Sequence, residues 1–201
     1  IGGGCLGGTL KNCVLINNAA VIGGAAYQCT LIDCVVENNE ALYEDDGHTS
    51  EPYIRVRNED GEPGSERIIY YGSGGGACNC HLVRCQVQDN YATSDGGGVF
   101  GGMLEDCVVW RNAANERGGG ASEAEVSSCT IAGNSASRLG GGLMSCNAKN
   151  CIVWANVAGN GAAYPFSNVW LGTVTYSCSC PKRDGEGNIG DCPLFVDGMN
   201  G

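Results

Sequence analysis

The residues best equipped for chemistry are thiols: the 201-residue chain holds fourteen cysteines against two histidines. Cys78, Cys80 and Cys85 fall close enough to suggest a thiolate metal site. Zinc, however, takes four ligands from paired Cys or His at recognisable spacing, and neither His48 nor His81 completes such a set or sits at a catalytic-triad spacing. Two acidic groups offer oxygen ligands. Asp184, Glu186 and Asn188 alternate with glycine in DGEGN, and Glu44, Asp45 and Asp46 run together. Calcium is the one cofactor these loops could hold, although neither has the full spacing of a calcium-binding loop, and a solvated turn explains both. Carboxylates suited to cleaving a polysaccharide, Glu105, Asp106, Glu123 and Glu125, lie near Arg111 and Arg117. No acidic column recurs along the chain and basic residues are sparse, which points away from an enzyme.

The elements that must position these groups repeat. Cys85, Cys107, Cys129 and Cys151 stand 22 residues apart, as do Asn90, Asn112, Asn134 and Asn156. Cys13 and Cys34 extend the cysteine column upstream, and Asn18 and Asn39 extend the asparagine column. A fixed period of this length marks a solenoid. Two residues after each cysteine comes an aliphatic side chain: Leu15, Val36, Val87, Val109, Ile131 and Val153. Alternation along a strand puts that column and the cysteines on the same, inward side, where buried cysteine acts as a small hydrophobe. Asparagine at a bend can stack on the asparagine of the next coil as a hydrogen-bonded ladder, and glycine triplets supply positive φ at a corner. The reading is an all-β, single-stranded parallel β-helix of about seven coils of ~22 residues, forming one domain over residues 1–201.

Cys34 and Cys85 are 51 residues apart instead of 22, leaving 29 for an insertion, residues 44–72. Its two β-rich runs, with Tyr53, Ile54 and Val56 in one and Ile68, Ile69 and Tyr70 in the other, flank turn residues and read as a hairpin arm with interface potential. Residues 161–201 read as the last coil and a cysteine-rich cap.

The outward columns beside the cysteines include Val108, Trp110, Ile152 and Trp154, an apolar exterior of the kind that marks an interface with another subunit or, through the tryptophans, a sugar. Cys29 and Cys80 each lie five residues before a column cysteine, which makes them disulfide candidates on adjacent coils. Cys192 pairs in this reading with either Cys178 or Cys180.

A net charge of −11 with few Lys and Arg argues against nucleic acid. No apolar run is long enough to span a bilayer as a helix. The cysteine count favours an oxidising, extracellular or cell-surface setting. The chain opens inside a repeat at Ile1, as a mature fragment would.

The segments GGTLKNCVLINNAA, GGMLEDCVVWRNAA and KNCIVWANVA, with the tail YSCSCPKRDGEGNIGDCPLFVDG, resemble the right-handed parallel β-helix repeat proteins of bacterial surfaces, including polymorphic outer-membrane and autotransporter passenger domains. The resemblance implies a right-handed solenoid, and Cys192, between Asp191 and Pro193, departs from the closing motif in a way that implies an added disulfide. It carries fold and leaves function open. The expectation is an extracellular structural solenoid, a filament subunit or module that joins copies of itself end to end. An adhesin or glycan-binding domain is the first alternative and a polysaccharide lyase or hydrolase the second.

Overall fold

The computed structural model describes residues 1–43, 71–159 and 168–193, together with the backbone of residues 53–57 and 66–70. The described residues contain no helix, and hence none long and apolar enough to cross a membrane. The chain winds as a three-faced parallel solenoid. One coil shows the plan: Val99–Glu105 lies on the first face, Val108–Trp110 on the second and Ala113–Ala114 on the third. Equivalent strands of successive coils pair in parallel, as in the register Gln86, Val108, Thr130, Ile152. Six coils are complete. A seventh contributes Val169–Thr175 and Cys178–Ser179 to the first two faces.

The interior is built from single columns. Leu31, Leu82, Leu104, Val126 and Ala148 fill the first face from within, and Val36, Val87, Val109, Ile131 and Val153 the second. Small and β-branched side chains suffice because each has a like neighbour one coil away in both directions. A second buried layer lies outside the first face. The residues next along its strands, Tyr27, Cys78 and Phe100, pack with Ile22 and against Tyr71, whose ring stacks at 5.3 Å on Tyr43. Tyr43 directly precedes the insertion and Tyr71 lies at its end. Within it, Tyr53–Arg57 and Glu66–Tyr70 pair antiparallel, Tyr53 opposite Tyr70, as a two-stranded hairpin. The side chains of Tyr53, Ile54, Val56, Ile68, Ile69 and Tyr70 lie outside the described residues, as do Glu44, Asp45, Asp46 and His48.

Corners are made by residues in the left-handed region. Asn12, Asp33, Arg84, Asp106, Ser128 and Asn150, each directly before a column cysteine, have φ between 50° and 56°. Asn17, Asn38, Asp89 and Arg111 do the same before the asparagines, and Gln28, Asn79, Glu123 and Ser145 at a third corner. The glycine triplets turn the coil between the third and first faces. There the middle glycine is required by close approach, since a Cβ on Gly97 would overlap the carbonyl oxygens of Ala113 and Gly119.

At the corners before the column asparagines and cysteines, the left-handed residue directs the next N–H along the rod axis into the interior, where a side chain of the following coil accepts it. Asparagine does this at one corner. The N–H of Asn90 donates to Asn112 Oδ1 at 3.0 Å, Asn90 Nδ2 donates to the same oxygen at 2.9 Å and also to the Val36 carbonyl at 2.9 Å. The pattern repeats from Asn18 to Asn156. Sulfur does it at the next. The Cys85 N–H donates to Cys107 Sγ at 3.4 Å, the Cys107 N–H to Cys129 Sγ at 3.3 Å, and the Cys107 thiol donates in turn to the Glu105 carbonyl at 3.1 Å. The column cysteine is therefore a hydrogen-bonding residue as well as a small apolar one. In the last coil Ser177 takes the same place, accepting from the Cys151 N–H at 2.9 Å and donating to the Thr175 carbonyl at 2.7 Å.

That substitution sets an expectation. Cys107→Ser keeps donor and acceptor and should cost no more than about 1 kcal/mol, whereas Cys107→Ala strands the Cys85 N–H and should cost about 2–3 kcal/mol. Urea unfolding at unchanged m measures the difference; equal losses would mean that sulfur acts here only by filling space.

Candidate functional site

Solvent reaches little of the thiol chemistry. Burial and neighbouring sulfurs raise the interior thiols: Cys107 is pushed up to about 12, first by its contact with Cys129, and Cys146 to about 12 by burial. Such groups are neutral at physiological pH, poor nucleophiles and poor metal ligands. Among the described residues no group of three His, Cys, Asp or Glu could hold a metal ion.

All fourteen cysteines stand as free thiols in this structure, with none of the expected pairs joined. Cys29 and Cys80 are indeed neighbours on adjacent coils, but the Cys80 sulfur accepts the Cys29 N–H at 3.3 Å, as the Cys146 sulfur accepts the Ala124 N–H at 3.4 Å. In the cap, Cys178 Sγ donates to the Asp191 carbonyl at 3.1 Å and Cys192 Sγ to the Pro193 carbonyl, while Cys180 is exposed. Two of these three sulfurs thus donate to backbone carbonyls.

The DGEGN loop is likewise structural. Asp184 and Glu186 face solvent, but Asn188 is buried. Its Oδ1 accepts the Ser177 N–H at 3.0 Å and its Nδ2 donates to the carbonyls of Val174 at 2.7 Å and Arg183 at 3.1 Å. With both polar atoms of its amide engaged in hydrogen bonds, Asn188 satisfies the last coil as ladder asparagines satisfy the others. Ile189 extends the closure by exchanging backbone bonds with Ser177 and Ser179. The asparagine ladder itself ends on Asn168, which stands only 12 residues after Asn156, accepts from both its nitrogens, and donates to the Cys180 carbonyl.

The second face carries the apolar exterior. Val108, Thr130 and Ile152 form one outward row and Trp110, Ala132 and Trp154 the next, so the two tryptophans are two coils apart on a shared surface. Trp110 is already engaged: its Nε1 donates to Gln88 Oε1 at 2.6 Å and the Arg111 guanidinium lies 3.8 Å over its ring. Arg111 is held there by two bonds to Asp89. Trp154 and Ile152 are half-buried, and among the described residues no guanidinium covers them in the same way.

The first face has a groove of about 400 Å³ lined by Met103, Glu105, Glu125, Asn147, Lys149 and Thr173 among others. Thr173 Oγ1 donates to Asn147 Oδ1 at 2.8 Å and Asn147 Nδ2 to Glu125 Oε1 at 2.7 Å, a row along the rod axis. At its end Glu105 lies 3.5 Å from His81 Nε2, a contact that becomes an ion pair when the imidazole is protonated. The carboxylates are thus paired within the sheet. Asp106, at a left-handed corner, and Glu123, at another, belong to different edges of the coil.

No family model, curated protein or solved structure matches this chain.

One buried charge escaped the sequence reading although its 22-residue spacing was visible. Asp95, directly before a glycine triplet, is 1 % exposed and accepts two bonds from Arg117, which precedes the next triplet. Loss of hydration raises its pKa from the ordinary 3.8, outweighing the guanidinium. The stability tied to the neutral form is therefore present below 3.8 and lost as pH rises through the higher folded value. Asp95→Asn removes that loss, so the variant's stability relative to the parent should grow with pH across this window and then level off, as read from urea midpoints. A flat difference would mean that Arg117 compensates fully.

Proposed function

We propose that this chain is a structural β-solenoid module of an extracellular, cell-surface fibre, continued beyond its first coil by a further coil. The observation that supports this reading is the contrast between its two ends. Towards the tail, the cap residues Ser177, Asn188 and Ile189 meet the last coil's polar groups, and Asn168 closes the ladder. At the first coil nothing among the described residues does so. Cys5, Leu10 and Cys13, at core positions, are only partly covered, while their counterparts further along the rod are buried. The strands Cys5–Leu6, Thr9–Lys11, Val14–Ile16 and Ala19–Ala20 pair on one side only. An unpaired parallel edge above an open core is a template for another strand of the same kind.

The acidic surface and the resemblance to repeat proteins of bacterial surfaces support the extracellular setting. A mechanical role also suits an interior in which every column is committed to hydrogen bonds or packing. The closed far end makes the joint one-sided, which favours a module that finishes a longer rod, or a short end-to-end assembly, over an unlimited filament of identical joints.

Six coils give a rod of about 30 Å. Electron microscopy of native material should show longer rods, and a one-coil extension copying residues 99–120 ahead of Ile1 should raise the melting midpoint and protect first-coil amides from exchange. Val14→Lys, which puts a charge on the open edge, should abolish that protection. Isolated rods of about 30 Å at every concentration, with no gain from the added coil, would overturn the structural reading.

A further inference from the structure

We propose that Cys5 and Cys29 are an oxidisable dithiol that staples the first coil to the second. Their sulfurs are in direct contact, Cys29 Sγ to Cys5 Sγ at 3.1 Å. The pairing does not follow the ladder. Cys5 stands in register with Ala26, and the corner position that Cys29 and Cys80 hold in the next two coils is occupied in the first by Gly8. Cys5 therefore enters this corner from the preceding strand, and its sulfur meets that of Cys29.

Three further features suit the pair to bond formation. Cys5 is half-buried and within reach of a small reagent, while Cys29 lies beneath it, 3 % exposed. The Cys29 sulfur is also poised near the Tyr27 and Gly7 carbonyls at 3.3 and 3.5 Å, so it already sits at the coil junction. A disulfide needs the sulfurs to close to about 2.05 Å, and the chain between them has the freedom to allow it. Gly7 and Gly8 follow Cys5 with φ of 68° and 87°, and a Cβ on either would have nothing within 4 Å. The Cys29–Cys80 pair lacks that slack, because a corner N–H occupies the Cys80 sulfur.

The reaction is thiol–disulfide exchange with a small-molecule disulfide such as oxidised glutathione. The Cys5 thiolate attacks one sulfur of the reagent, forming a mixed disulfide and expelling one glutathione thiolate. The Cys29 thiolate then attacks the Cys5 sulfur, forming the protein disulfide and expelling the second. The two thiol protons end on the two glutathione molecules, which leave reduced, and the protein loses two hydrogens and two electrons. Burial and the Cys29 contact push the Cys5 thiol up to about 11, so exchange should accelerate about tenfold per pH unit through the neutral range. The loop closed spans 24 residues and ties down the strand edges of the open coil.

The test treats the purified chain with oxidised glutathione, maps cross-linked peptides by mass spectrometry and follows thermal unfolding. The expected result is a Cys5–Cys29 link, a melting midpoint raised by about 5 °C and reversal of both by dithiothreitol. Cys5→Ser should abolish link and shift, whereas Cys192→Ser, altering an exposed thiol in the cap, should leave both. A map showing Cys29 joined to Cys80, or oxidation confined to Cys180 and Cys192, would overturn the proposal, and it needs no variant to fold.

Discussion

A backbone N–H turned into a dry interior must find an acceptor, and this chain meets that demand at successive corners of every coil. Turning by a left-handed residue is compact but points the following amide along the rod axis and away from solvent. An unsatisfied amide there would cost about 1–3 kcal/mol, and the coil repeats the geometry at each turn. At the asparagine and column-cysteine corners the acceptor is a side chain from the next coil, and asparagine, cysteine or serine recurs there. The 22-residue spacing of cysteine and asparagine is the imprint of that demand on the sequence.

This explains which parts of the fold were legible. Period, inward parity and the asparagine ladder could be read because one residue type recurs at one place. The left-handed corners could not, since Asn12, Asp33, Arg84 and Ser128 share a conformation but little chemistry. The second role of cysteine was hidden because a buried thiol also satisfies the simpler reading as a small hydrophobe. Phe100 and Cys78 occupy outward strand positions by alternation, and packing with Ile22, Tyr27 and Tyr71 makes them interior. Asn168 was missed for a different reason: it reaches the ladder from the position of a glycine in the triplet, outside the period that defines its partners.

Surface chemistry was legible less well still. The register bears out that Trp110 and Trp154 share a face, but the sequence gives no sign that Arg111 covers one and leaves the other. The acidic tail loop looked like a set of oxygen ligands because alternation with glycine is common to cation loops and to tight caps. What separates them is where Asn188 points, and its amide goes inward to Ser177 and Val174. Coil adjacency of cysteines likewise carries two meanings, since the Cys80 sulfur beside Cys29 is also the acceptor of its main-chain N–H.

The asparagine ladder also has a direction. In every rung the amide nitrogen gives towards the tail and the oxygen receives from the side of the first coil, so the amides align head to tail and polarise one another. The row ends at Asn18, whose oxygen has no donor among the described residues. The rod thus behaves as a socket with a sign. It matches a plug that brings N–H groups, as a coil wound in the same sense does, and it sets oxygen against oxygen when two such sockets meet face to face.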